Sequence, residues 1–121
     1  MGRLPDEFLE RIESFADRVL DVITVLETTK CPRRLIEQMA AAGTSVGANA
    51  FEADEAMRRP DFVKTLSIVN KELNETRFWI RLIARRAWVP APRLSELLVE
   101  AETLKRIIGA MIARTWENSG G

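Results

Sequence analysis

Residues 38–53 read Q-M-A-A-A-G-T-S-V-G-A-N-A-F-E-A, a mid-helix run with two glycines on which the packing of the whole chain turns. Met39, Gly43, Val46, Ala50 and Ala53 recur every three or four residues, the period of a helix with one buried side. Gly43, Gly47 and Ala50 lie on one face with Ala40, where small side chains let a neighbouring backbone come close. Two glycines inside a helix cost about 1 kcal/mol each relative to alanine, so tight packing must offset them. A phosphate-cradling loop is excluded on context, because no strand precedes the segment and no lysine follows the second glycine.

Outward from this stretch, three further segments carry the same period. Phe8, Ile12, Phe15, Val19, Ile23 and Leu26 mark a first helix over about 5–28, with Asp6 and Glu7 at the positive end of its dipole. The glycine-bearing helix covers about 32–57 and ends before Arg58-Arg59-Pro60. Phe62, Leu66, Val69, Leu73, Ile80 and Ile83 form the stripe of a third, over about 60–88. After a corner at Pro90 and Pro92, Leu94, Leu97, Leu98, Ala101, Leu104, Ile108, Met111 and Ile112 mark a fourth over about 93–117, with a frayed end at Asn118–Gly121. Connections this short fold successive helices back on one another. The expected fold class is therefore all-α, an antiparallel up-down-up-down four-helix bundle forming a single domain of 121 residues.

Composition narrows the chemistry. Eighteen basic and 18 acidic residues give zero net charge, and histidine is absent. Ser-His and Cys-His nucleophile activation and histidine metal ligation are thus excluded, and the absence of Glu-x-x-His pairs disfavours a di-iron site at Glu52, Asp54 and Glu55. The lone Cys31 suits a reducing compartment. Neither a targeting signal nor a membrane-length apolar run is visible, so the expected setting is cytoplasmic, with no cofactor, no metal and no membrane partner.

Three surface features remain. Ser45, Asn49 and Glu52 form a polar ridge that reads as solvated or subunit-facing; the alternative, an enzyme using a carboxylate or lysine near these residues, lacks an activating base. On the third helix Asn70, Asn74, Arg77, Arg81 and Arg85 share one narrow band, while Phe78 and Leu82 lie away from the main apolar stripe with Trp79 at their edge. A second apolar patch on a bundle helix points to self-association. Charge is also segregated: Asp6–Glu27 holds seven acids and two bases, Arg58–Arg93 nine bases and three acids. These charges either pair across the bundle or between subunits, or line a surface for phosphates.

The blocks V-G-A-N-A-F-E-A and D-F-V-K-T-L-S-I-V-N-K-E-L-N-E-T-R-F-W-I-R-L resemble the four-helix-bundle family encoded in intervening sequences of 23S ribosomal RNA genes. The similarity covers about residues 8–115, and Gly43, Thr44, Ser45, Gly47, Asn49, Glu52 and Arg77 are the motif positions. The resemblance implies a ring-shaped homopentamer without catalytic activity. A related branch is similar to the accessory proteins of diversity-generating retroelements, which associate with nucleic acid. Ala41 stands where the family usually has Arg, and this chain is neutral where many members are basic. The expectation is accordingly a homo-oligomeric scaffold that binds itself and engages RNA, DNA or another protein. Any nucleic-acid binding would run through Arg58, Arg59, Lys64, Arg77, Arg81, Arg85 and Arg86, weakly and without sequence preference, and be abolished by changing Arg81 and Arg85 together to Glu.

Overall fold

The structure, a computed structural model, describes residues 2–120, with side chains from 2 to 117. It contains four helices: α1 (Asp6–Leu26), α2 (Arg33–Asp54), α3 (Arg59–Arg86) and α4 (Ala91–Gly120). They form the expected all-α antiparallel bundle, with no strand among the described residues. Of the end expected to fray, Gly121 lies outside the described residues and α4 extends to Gly120.

Helix ends follow local chemistry. Pro5 and Pro32 sit just outside α1 and α2 in extended backbone, where their carbonyls accept the first helical N–H groups, Leu9 N at 3.1 Å and Ile36 N at 3.2 Å. α2 stops three residues before the expected Met57, because the chain's start clamps its end. Arg3 N donates to the Asp54 carbonyl at 3.1 Å and Leu4 N to the Asp54 carboxylate at 2.8 Å. The Arg3 guanidinium donates to the carbonyls of Ala56 and Met57 and lies 5.5 Å from the centre of the Phe62 ring. These bonds satisfy carbonyls that a helix C-terminus otherwise leaves unpaired. Ala87, at φ 57° and ψ 27°, turns α3 off in the left-handed conformation that usually takes glycine. The proline corner is tighter than expected: α4 starts at Ala91, with Pro92 inside its first turn.

The core is continuous from end to end. Ile12, Phe15, Val19 and Leu26 of α1, Met39 and Val46 of α2, Leu66, Leu73 and Ile80 of α3, and Leu104 and Ile108 of α4 are fully enclosed. Each such side chain contributes roughly 1.5–3 kcal/mol on burial. Thr76, in the middle of the α3 stripe, is equally buried, and its hydroxyl is satisfied by donating to the Glu72 carbonyl at 2.8 Å. The small-residue face of α2 packs on α1: Gly43 meets Val19, and Gly47 lies opposite Ala16.

Each helix packs on its neighbours in sequence, and α1 closes onto α4 over a shorter stretch. The diagonal pairs, α1 with α3 and α2 with α4, do not meet. A two-pronged bridge ties the looser seam: Arg11 Nε and Nη2 donate to the two carboxylate oxygens of Glu100 at 2.7 and 2.8 Å.

Candidate functional site

The band Asn70-Asn74-Arg77-Arg81-Arg85 faces the seam between α3 and α4, where it divides into two parts. In the middle, Arg77 Nε pairs with Glu102 at 3.3 Å and Lys105 Nζ donates to Asn74 Oδ1 at 2.8 Å. Asn70 Oδ1 is buried there without a hydrogen-bond donor. Arg106 stands beside Lys105, so α4 adds two cations to this stretch. Neither was singled out from sequence, because nothing in the spacing of α4 reveals which side meets α3.

Towards the C-terminal end of α3 the seam opens into a groove of about 420 Å³. Its wall is apolar, built from Phe78 and Leu82 of α3 and Leu94 and Leu98 of α4, and Arg81 and Arg85 stand on its rim. No carboxylate lines it, and neither arginine has an ion-pair or hydrogen-bond partner among the described residues. Phe78 is 55% exposed, an unusual position for a phenylalanine, and meets the edge of Trp79 with ring centres 5.2 Å apart. Trp79 itself is half-buried against the core and donates its indole N–H to Glu75 at 3.3 Å, while Leu82 is half-buried at the groove. Phe78 and Leu82 thus belong to one surface feature, and Trp79 meets it through the Phe78 ring.

The other cations expected to engage nucleic acid do not join this patch. Arg58, Arg59 and Lys64 are exposed at the opposite end of the helix. Arg59 and Arg85 are separated by about 39 Å along the helix at 1.5 Å per residue. Arg86 covers the Trp88 ring at 5.3 Å. The seven basic residues therefore form two terminal groups, with the paired Arg77 between them.

On α2 the polar ridge is engaged locally. Asn49 Nδ2 donates to the Ser45 carbonyl at 2.9 Å, both residues are half-buried, and Glu52 is exposed. Thr44 returns its hydroxyl to the Ala40 carbonyl at 2.8 Å. Of the motif residues in this block, only Gly43 is required for the close approach of α1; a β-carbon at Gly47 would stand 3.8 Å from Ala16 Cβ, an ordinary contact, so the expectation of two tight glycines holds at Gly43 alone, and Arg77 of the second block joins α3 to α4.

The acids of α1 find little compensation within the chain. α1 and α3 lie on a diagonal, and no ion pair joins them among the described residues. Among the described residues, pairing across the bundle is confined to Arg11–Glu100 and Arg77–Glu102, with Arg33 bridging Glu27 and Glu37 near the α1–α2 turn. The hydrogen bond from Arg11 holds the Glu100 carboxyl below its usual range and raises the Arg11 guanidinium in turn. Burial pushes the Cys31 thiol up, which keeps it protonated and unreactive.

A family model described as 23S rRNA-intervening sequence protein matches residues 7–110. Among solved structures the chain is similar to a protein of unknown function from the S23 ribosomal protein family of Bacteroides thetaiotaomicron. The two are 27% identical, with 87% of this chain and 97% of that chain covered and a TM-score of 0.82. No curated protein matches. Neither description names a reaction.

Proposed function

The chain belongs to the 23S rRNA-intervening sequence protein family, and from that premise we propose that it is a non-enzymatic interaction protein that works as a homo-oligomeric scaffold in the cytoplasm. The observation that carries this reading is the groove between α3 and α4. A bundle needs one apolar face per helix, yet α3 also turns Phe78 outward beside an apolar wall rimmed by two unpaired arginines. The pentamer that the family resemblance implies would cover such a surface in every copy. At the ridge Ser45-Asn49-Glu52, the Asn49 amide donates to the Ser45 carbonyl on its own helix, which supports a structural role for that pair.

Sedimentation equilibrium at micromolar concentration tests the proposal. The expected result is a species several times the 13.7 kDa of one chain, and a clean monomer overturns it. Phe78→Ser should weaken assembly at least about tenfold with an unchanged helical circular dichroism spectrum, because an exposed residue contributes little to the isolated fold.

A second reading, weak binding of RNA or DNA, is favoured by the exposed cations Arg58, Arg59 and Lys64, none of which is ion-paired among the described residues. A symmetric oligomer would repeat this small group once per subunit. Several copies acting together would give the cumulative phosphate attraction that a neutral chain lacks.

A further inference from the structure

The unpaired charges on α1 and α3 share a spacing. On α1, Glu13, Asp17 and Leu20 are exposed and follow one another at steps of four and three residues. On α3, read in the opposite direction, Arg85, Arg81 and Phe78 are exposed and follow at the same steps of four and three. Residues three and four apart share one helix face, so each trio forms a single strip of two like charges followed by one apolar side chain. Leu20 and Phe78 are 41% and 55% exposed, the apolar member of each strip. None of the four charged groups has a partner among the described residues. Within one chain the strips cannot meet, because α1 and α3 lie on a diagonal of the bundle.

We propose that α1 of one copy docks antiparallel along α3 of a second copy, placing Glu13 against Arg85, Asp17 against Arg81, and Leu20 on Phe78 at the mouth of the α3–α4 groove. This rests on the self-association reading above and names the surfaces that carry it. The contact joins two different faces, so it is heterologous: each copy keeps a donor strip and an acceptor strip. Repetition closes into a ring when the rotation allows, and otherwise runs on as a chain. Opposite charges at matched spacing also fix the register, since sliding by one helical turn in one direction would leave the end charges unpaired and set a charge against an apolar group.

The test is charge exchange read by sedimentation. Wild type, Glu13→Arg/Asp17→Arg, Arg81→Glu/Arg85→Glu and the fourfold exchange are compared at one concentration, with helical circular dichroism to confirm that each folds. Each double variant should associate at least about tenfold more weakly, and the fourfold variant should regain assembly of wild-type size. A monomeric wild type defeats the self-association reading itself. A wild type that assembles while both double variants assemble equally well defeats this interface alone, as does a fourfold variant that remains dispersed. A cross-link independent of charge comes from mixing Leu20→Cys and Phe78→Cys chains in a Cys31→Ser background. Under mild oxidation the docking gives a disulfide-linked heterodimer as the main product, and equal amounts of homodimer and heterodimer overturn it.

Discussion

Gly43 of α2 lies so close to α1 that a β-carbon there would stand 2.6 Å from Val19 Cγ1 and 3.1 Å from Val19 Cβ. Valine has one stiff side-chain torsion and little room to turn away, so the contact is between a buried stretch of helix backbone bare of side chain and a branched side chain. The tolerance for glycine in mid-helix follows from this approach.

Gly43→Ala should therefore destabilise the bundle by about 1–2 kcal/mol, because overpacking outweighs the better helix propensity of alanine. In a Val19→Ala background the same change should be neutral or favourable. Urea denaturation of the four members of this cycle measures the coupling. Additive effects would show that the two residues do not oppose each other.

The Arg11–Glu100 bridge makes part of the stability depend on pH. The Glu100 carboxyl titrates lower in the folded chain than in the unfolded one. The bridge therefore stabilises fully above the unfolded carboxyl value, and its contribution is lost as pH falls through the lower folded value. Glu100→Gln should remove that part of the acid sensitivity, less than about 1 kcal/mol given that Arg11 is partly solvated. Denaturant midpoints at pH 3 and pH 6 should differ less for the variant than for wild type.

Ala87 holds a backbone conformation that costs an L-residue roughly 1 kcal/mol. Ala87→Gly should relieve it and raise stability by about 0.5–1 kcal/mol, read as an increase of a few degrees in Tm. A fall in Tm would show that the added freedom of the unfolded chain outweighs the relief.

Nucleic-acid binding is best tested away from the groove. Reversal of Arg81 and Arg85 reports on assembly as well as on phosphates, so the informative variant is Arg58→Glu/Arg59→Glu/Lys64→Glu. Filter binding of a mixed-sequence RNA should detect wild type at 50 mM salt, lose it by ~200 mM, and show at least about tenfold less for the variant. No detectable binding of an intact oligomer at 50 mM would leave the protein scaffold as the reading.

The four helices and nearly the whole core were legible because their periods are unbroken, as in the run Ile12-Phe15-Val19. The close crossing at Gly43 was legible because glycines inside an apolar stripe have few other uses. Thr76 was not: its hydroxyl is satisfied one turn back on its own helix, so a polar letter stands at a buried position. The end of α2 was misplaced because Arg3 and Leu4, some fifty residues earlier, decide where it stops. The polar band of α3 could be drawn on a helical wheel. Its division into a paired centre and an open groove depends on Glu102, Lys105 and Leu98 of α4, and the neighbour's rotation is not written in either helix alone.

The arrangement in which each helix meets its sequence neighbours, with α1 and α4 closing the square last, also bears on how fast and in what order the chain folds. Contacts between adjacent helices close short loops, the low contact order associated with folding in microseconds to milliseconds. The α1–α4 seam brings together the two ends of the sequence, so its loop-closure entropy makes it the expected last closure to form. As the seam with the least packing among the described residues it should also open first, so amide protons along α1 and α4 should exchange before those of α2 and α3, whose shared interface is the most extensive there.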